Sequence, residues 1–412
     1  MNRYRLAPGA GVTQVAPASH ADRRGQQPGG ARWQTGTDAP SPTDRCMTAL
    51  PPAETCAPDP RIAGLTGQLR LREPSPDDAD RWHEHVLDGV RYRCAQPITF
   101  TPYAASKPCS ARCRFCSETL VNEDASLRAA RLRPGPGYFA ALQRALAALR
   151  GLPLSYSLSG LENTDDADWM LALLAQLQQA SRDGVPVDER VLYSNGAGFA
   201  GARGAELLAA LQAFGLSWIE LSRHSHDAAC NDAIMRFRPG EAIAGAGTFE
   251  VTARRLSAAL PLKLVCIVQR GGVHDADGVE TYLRFAASLG AREVIFREFS
   301  RLSPSYRRNG TARYIEGARV PMDALALDCL QQPALRRALE VECGTRGYYF
   351  WNLRLRHDSG IRVVFEASDY ARMHQRHDSG RLYKLVLFPN GNLCAGWDPD
   401  RNVLLRCDGG YQ

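Results

Sequence analysis

Six short runs rich in β-branched and aromatic residues alternate, through the middle of the chain, with stretches whose apolar residues recur three and four apart. The runs are ITFTPY (98–103), LSYSLSG (154–160), RVLYSNG (190–196), SWIELS (217–222), LKLVCIVQ (262–269) and EVIFREFS (293–300). Between them lie YFAALQRALAALR, WMLALLAQLQQA, AELLAALQAFG and VETYLRFAASLG. Strands that alternate with helices form a parallel sheet with the helices outside it. The short links suit βα and αβ turns. Six units over about 200 residues predict an α/β fold, an incomplete (βα)6 TIM-like barrel rather than a closed eightfold one. The flat doubly wound sheet is the competing arrangement.

The alternation stops after about residue 303. RHDSG then occurs twice, at 356–360 and 376–380, between YYFWNLRL, IRVVFEA and LYKLVLF. Asp-Ser-Gly is turn chemistry, because Gly tolerates positive φ. A small C-terminal antiparallel β region is therefore expected, with FPNGN as one more turn. Residues 1–60 are rich in Gly, Pro, Ala, Ser and Thr and show neither period, which predicts a disordered N-terminal tail. Cys46 and Cys56, inside it, read as ordinary thiols. The expected organisation is a tail (1–60), a lead-in (61–95), a partial barrel (96–302) and a C-terminal capping region (303–412) that closes the open side.

The 412 residues carry a formal charge of +6, small against 50 basic side chains, and no Lys/Arg run stands out. Nucleic-acid binding is not expected. No stretch reaches the ~18 apolar residues of a membrane span, and the N-terminus has no apolar h-region of a signal peptide. Twelve cysteines in a chain this long suit a reducing cytoplasm, where clustered thiols more often mean metal than disulfides.

CSARCRFC places Cys109, Cys113 and Cys116 in eight residues, in the loop after the first predicted strand. A [4Fe–4S] cluster commonly takes four thiolates, so three leave one iron open to a substrate or cofactor. A three-cysteine zinc site with a distant fourth ligand, in a binding or regulatory protein, is the non-enzymatic alternative.

This spacing, with Phe115 before the last cysteine, resembles the radical S-adenosylmethionine (radical SAM) superfamily. The resemblance implies one [4Fe–4S] cluster on these cysteines and S-adenosyl-L-methionine on the open iron. It also implies reductive cleavage to a 5′-deoxyadenosyl radical that abstracts hydrogen from substrate, with an electron donor such as flavodoxin or ferredoxin. The likeness continues at later strand ends. SGLEN stands where the family has a Gly-Gly-Glu turn, which implies cofactor contacts for Ser159 and Gly160 and, displaced by the inserted Leu161, for Glu162. SNG resembles the family's Thr-Asn-Gly and implies a contact for Asn195. Ser222 and Arg223 end the fourth strand, where a polar residue commonly meets the ribose or carboxylate. CIVQRGGVHD, VIFREFS and LVLFPNGNLCAGW resemble the molybdenum-cofactor cyclase (MoaA-like) branch. That branch carries a second cluster on C-terminal cysteines, whereas Cys329, Cys343, Cys394 and Cys407 are isolated here. The seven-cysteine pattern of peptide-modifying relatives is also missing.

The catalytic residue beyond the cofactor is not defined by sequence. Arg297, Glu298 and Arg301 stand at the sixth strand's end as a carboxylate or phosphate clamp or a structural ion pair. His224 and His226 read as solvated loop residues, and Cys266, Cys394 and Trp397 as packing. The expected substrate is a small molecule or short peptide in specialised biosynthesis. A peptide maturase is the second reading, but residues 60–95 look too short for a leader-binding winged helix.

Overall fold

In the computed structural model, residues 58–66, 70–71, 81–121, 132–302, 306–347, 349–369 and 380–407 are described. The predicted tail up to residue 57, Cys46, Cys56 and most of the second RHDSG copy lie outside them.

Each of the six predicted runs carries a strand. In chain order the strands are β1 (Arg70–Leu71), β2 (Trp82–Leu87), β3 (Val90–Pro102), β4 (Leu154–Leu158), β5 (Val187–Ser194), β6 (Trp218–Ser222), β7 (Leu262–Ile267) and β8 (Glu293–Arg297). The C-terminal part adds β9 (Leu339–Arg346), β10 (Phe350–His357), β11 (Arg362–Ser368), β12 (Arg381–Leu387), β13 (Asn392–Cys394) and β14 (Val403–Arg406). β3 to β8 pair in sequence order and in parallel, with Leu221 opposite Leu264 and Leu264 opposite Val294. Helices Tyr138–Ala148, Ala167–Arg182, Gly204–Phe214, Ala246–Ala259 and Ala276–Ser288 connect them. Asp166 and Asp275 cap two of these helices, their carboxylates accepting the Trp169 and Gly278 amides.

β3 begins eight residues earlier than the ITFTPY run. Its first half pairs with β2 through a tight turn at Asp88 and Gly89, both at positive φ (50° and 75°). Asp-Gly is the residue pair that a two-residue hairpin favours.

The C-terminal strands are not one patch. β11 pairs in parallel with β8 and carries the antiparallel β10 and β9 outward. β12 pairs in parallel with β3 and carries the antiparallel β13 and β14. Both otherwise bare edges of the six-stranded run are thus covered, which removes the exposed ladder that an open sheet presents. Asp358-Ser359-Gly360 makes the turn between β10 and β11, as expected. The stretch after 303 is richer in helix than its sequence suggested, with Gly310–Ala318, Met322–Gln331 and Pro333–Ala338.

Alternation along the strands builds two different faces. Leu221, Leu264, Cys266, Val294, Phe296, Val363 and Phe365 are fully buried in the main core with the helices. The inner face carries an apolar layer, Val265, Ile295 and Val364. It is flanked by charged layers: Arg297 and Glu366 toward the C-terminal ends, and Glu220, Lys263, Glu293 and Arg362 below.

Candidate functional site

The cysteine loop leaves the C-terminal end of β3 and is zipped onto the chain that follows helix Ala228–Met235. Arg114 donates its amide to Ile234 (3.0 Å), Arg112 to Met235 (3.1 Å) and Arg238 to Ser110 (2.8 Å), around an antiparallel bridge between Ala111 and Phe237. The Arg238 guanidinium also donates to the Cys109 carbonyl at 2.7 Å. Bonds to the backbone of the loop, from main chain and from side chains, fix it, and none of the three thiols serves as a donor in them. Cys109, Cys113 and Cys116 are half-buried and line one cavity of about 780 Å³. Burial pushes the Cys113 thiol up to about 12 and raises that of Cys109 as well. Such thiols ionise only when a metal's positive charge replaces their protons.

The donor set fits an iron–sulfur cluster. Three soft thiols from one loop share a cavity, and a cubane spreads them over separate irons. Among the described residues no three His, Cys, Asp or Glu side chains are arranged to hold a single metal ion. The late cysteines occupy separate elements: Cys329 in helix Met322–Gln331, Cys343 on β9, Cys394 on β13 and Cys407 after β14.

Phe115 turns its ring to His224, edge to face with centroids 4.9 Å apart, and lies 5.4 Å from Phe299. His224 is buried, not solvated as its loop position suggested. Its Nδ1 accepts the Ile267 amide at 3.0 Å, so in the neutral ring the proton sits on Nε2. Burial drives its pKa down to about 3, assisted by Arg223 and Arg297. His226 is exposed, as expected.

At the end of β4, Gly160 has φ 112°, and a Cβ there would come within 3.0 Å of the Tyr103 ring. Only Gly satisfies both demands. Ser159 is half-buried beside it, and its carbonyl accepts from Asn163 at 3.5 Å. Leu161 also takes positive φ (50°) and faces the cavity. Glu162 turns inward. Its carboxylate accepts from Thr164 Oγ1 (2.6 Å), Ser194 Oγ (2.9 Å) and the Asn195 amide (2.5 Å). Burial, with Asp165 nearby, raises its pKa to about 7. This tie sets the end of β5 against the β4 turn. Asn195 then reaches the cysteine loop, donating to Ser110 Oγ at 2.9 Å and to Cys109 Sγ at 3.7 Å. Its Oδ1 accepts the Ala197 amide. Ser222 ends β6, half-buried on the inner face. Arg223 faces the other way. Its guanidinium packs over the Phe249 ring at 4.3 Å and donates to the Ser225 carbonyl at 2.9 Å. The structure therefore brings Cys109, Cys113, Cys116, Leu161 and Asn195 together, and leaves Arg223 between the helices.

The remaining candidates divide similarly. Arg297 lies on the inner face, 2.6 Å from Glu366 and 3.8 Å from Glu220. Glu298 is a structural partner, accepting from Arg319 Nε at 2.7 Å and the Met322 amide at 2.9 Å. Arg301 is exposed. Cys266 is core on the helix-facing side, and Cys394 packs with Val386 and Phe388. Trp397 stacks edge-on against Tyr103, with centroids 5.3 Å apart.

Sequence reading missed one wall of the cavity. Asn309, Thr311 and Tyr314 arrive from the start of helix Gly310–Ala318, docked where Asn309 donates to the Thr119 carbonyl at 2.7 Å. It also missed Tyr103, whose hydroxyl donates to Glu118 beside the loop.

No family model matches the chain, and no curated protein does. Among solved structures, Streptococcus suis SuiB bound to S-adenosylmethionine is similar over 73% of this chain and 60% of its own, with 13% identity and a TM-score of 0.44. The chain thus spans about 60% of that protein's length. anSMEcpe with bound AdoMet matches 48% of this chain and 50% of its own (13% identity, TM-score 0.38). Escherichia coli coproporphyrinogen III oxidase (HemN), a radical SAM enzyme, matches 63% and 66% (9% identity, TM-score 0.35).

Proposed function

We propose that the chain is a radical SAM enzyme of the MoaA-like branch, with one [4Fe–4S] cluster on Cys109, Cys113 and Cys116. The observation that carries the reading is the thiol triad itself. Three thiols lie at the C-terminal end of the first of six parallel strands and open on one cavity, their loop held mainly through its backbone. Active sites collect at that end of parallel barrels.

When bound, the cluster would supply the electron that cleaves S-adenosylmethionine and so starts hydrogen abstraction from substrate. The chain's own residues prepare the place. Asn195 steadies Cys109 through its amide. Gly160 lets backbone approach where a side chain would collide with Tyr103. Phe115, backed by His224, walls the loop with apolar surface and excludes water. Ser159, Gly160, Asn195 and Ser222 are assigned to cofactor contact. Glu162 and Arg223 act as positioning residues, Glu162 by shaping the β4 turn and Arg223 by bracing β6 against the helices. A cytoplasmic protein with a flavodoxin-like or ferredoxin-like donor and a small-molecule substrate completes the reading.

The test is anaerobic purification and reconstitution of the full chain. A brown protein with about four irons per chain, forming 5′-deoxyadenosine and methionine on reduction, is expected. A colourless protein with one tightly held zinc would overturn the reading.

A further inference from the structure

The cavity wall is more basic than a cluster requires. Lys107, Arg112, Arg114, Arg133, Arg236 and Arg238 line it, against the single carboxylate of Glu118. Lys107 lies 3.7 Å from Asp166, Arg238 is bonded to the Cys109 carbonyl, and Arg114 sits 4.1 Å over the Tyr314 ring. Among the described residues, no carboxylate pairs with Arg112, Arg133 or Arg236. The backbone forces two of these together, because the Arg112 amide donates to the carbonyls of both Met235 and Arg236 at 3.1 Å. Arg236 also ends its helix at φ 53°, in the left-handed region where Gly or Asn closes a helix at less cost. An unpaired arginine held in that conformation beside another is like charge gathered in one place, and a bound anion relieves it.

We infer that Arg112, Arg133 and Arg236 bind a multiply charged oxyanion on the substrate, a phosphate ester or paired carboxylates, so that the enzyme acts on an anionic small molecule. Naming this ligand the substrate rests on the function proposed above. The guanidinium fork matches phosphate and carboxylate oxygens in bidentate fashion. The cluster's thiolates offset only part of the positive wall. S-adenosylmethionine brings one carboxylate, already balanced by its own ammonium and sulfonium. A single carboxylate on the substrate would leave two of the three guanidiniums unmatched, whereas a multiply charged anion engages most of them. The site is a cavity of about 780 Å³, the scale of a small-ligand pocket. A docked electron-donor protein would need instead a face of roughly 800 Å².

The experiment uses the full-length protein after anaerobic reconstitution, with its iron content measured, and two probes, inorganic pyrophosphate and citrate, titrated calorimetrically at fixed ionic strength. Arg112→Gln and Arg133→Gln are each expected to weaken binding of at least one probe tenfold or more, while Arg284→Gln, on the outer helix Ala276–Ser288, leaves it within twofold. Preference for pyrophosphate assigns a phosphate ester, and preference for citrate a polycarboxylate. Arg236→Asn suits the left-handed backbone and gives a third variant if either of the first two fails to fold. Equal affinities in parent and variants overturn the inference. So does a loss confined to the rate of reduction by an acidic flavodoxin, with pyrophosphate and citrate affinity unchanged. A chain that binds either probe through these arginines but never loads iron or cleaves S-adenosylmethionine would sink the proposed function, and leave the anion site standing.

Discussion

The inner face of the sheet and the cavity over the cysteine loop use arginine in opposite ways. On the inner face Arg297 and Arg362 each meet carboxylates. Arg297 meets Glu366 at 2.6 Å, and Arg362 meets Glu342 at 3.2 Å and Glu293 at 3.4 Å. Over the loop, Arg112, Arg133 and Arg236 are exposed and none is paired with a carboxylate among the described residues. Cysteine divides along a similar line. Cys266, Cys329, Cys394 and Cys407 are buried where packing holds them, while Cys109, Cys113 and Cys116 sit half-buried in a loop fixed by its backbone. A charge matched inside the fold contributes to structure; one held in place and left unmatched is available to a ligand.

The sharpest break between the two cysteine sets is chemical. Cys109→Ser, Cys113→Ser or Cys116→Ser is expected to abolish iron loading and S-adenosylmethionine cleavage, because a defined open iron needs all three thiolates. Cys266→Ala and Cys329→Ala are expected to keep both, at a cost of about 1–2 kcal/mol in stability for the lost burial. Iron content by chelation assay and chemical denaturation separate the outcomes. A Cys113→Ser protein with a full cluster would erase the distinction.

The arginine contrast predicts a smaller, purely thermodynamic difference. Glu366→Gln should leave Arg297 facing Glu220 alone, at 3.8 Å. Glu220 is already buried with Oε2 lacking a hydrogen bond, and burial raises its pKa. The expected loss is about 3 kcal/mol, the lower end for breaking a buried pair, since Arg297 keeps 31% of its side chain exposed. Arg133→Gln over the loop should stay within about 0.5 kcal/mol. Equal urea midpoints for the two variants would show that the inner-face pairing contributes nothing special.

The six inner strands and the cysteine triad are legible in the sequence alone, the arginine contrast is not, and the misses have physical causes. The six inner strands were visible because each is a short β-branched run between helical periods. Helix Ala246–Ala259 was not, since Thr248, Val251 and Thr252 blur its period and Val251 is 64% exposed. The hairpin of β2 lay inside the segment read only as a lead-in, because His83, Glu84 and His85 interrupt any apolar strand pattern before the Asp88-Gly89 turn. The cysteines were found by spacing, yet Arg112 and Arg114 stand between them and were passed over as filler. Their meaning depends on Arg236, more than 120 residues away, and on a bridge that no local pattern announces. The contact between Asn309 and Thr119 joins residues 190 apart in sequence, which periodicity cannot see.

The last contrast is between two histidines two residues apart, and it carries the smallest expected effect. His226 is exposed, whereas His224 is buried behind Phe115 with its Nδ1 committed to the Ile267 amide. Burial lowers the His224 pKa from 6.5 to about 3. The unfolded chain therefore takes up a proton near pH 6.5 that the folded chain refuses. Stability from this group is fully present above pH 6.5 and is lost progressively as pH falls toward 3. At 1.36 kcal/mol per unit, going from pH 6.5 to 5 should remove about 2 kcal/mol. His224→Asn keeps an acceptor near the Ile267 amide but cannot titrate. Its stability deficit against the parent should be largest near pH 7 and shrink by about 2 kcal/mol at pH 5. His226→Asn, measured in parallel by urea denaturation, supplies the baseline for an exposed position. A His224→Asn deficit that is constant between pH 7 and 5 would mean that the ring titrates alike in the folded and unfolded chain. The apolar wall behind the cysteine loop would then be open to water.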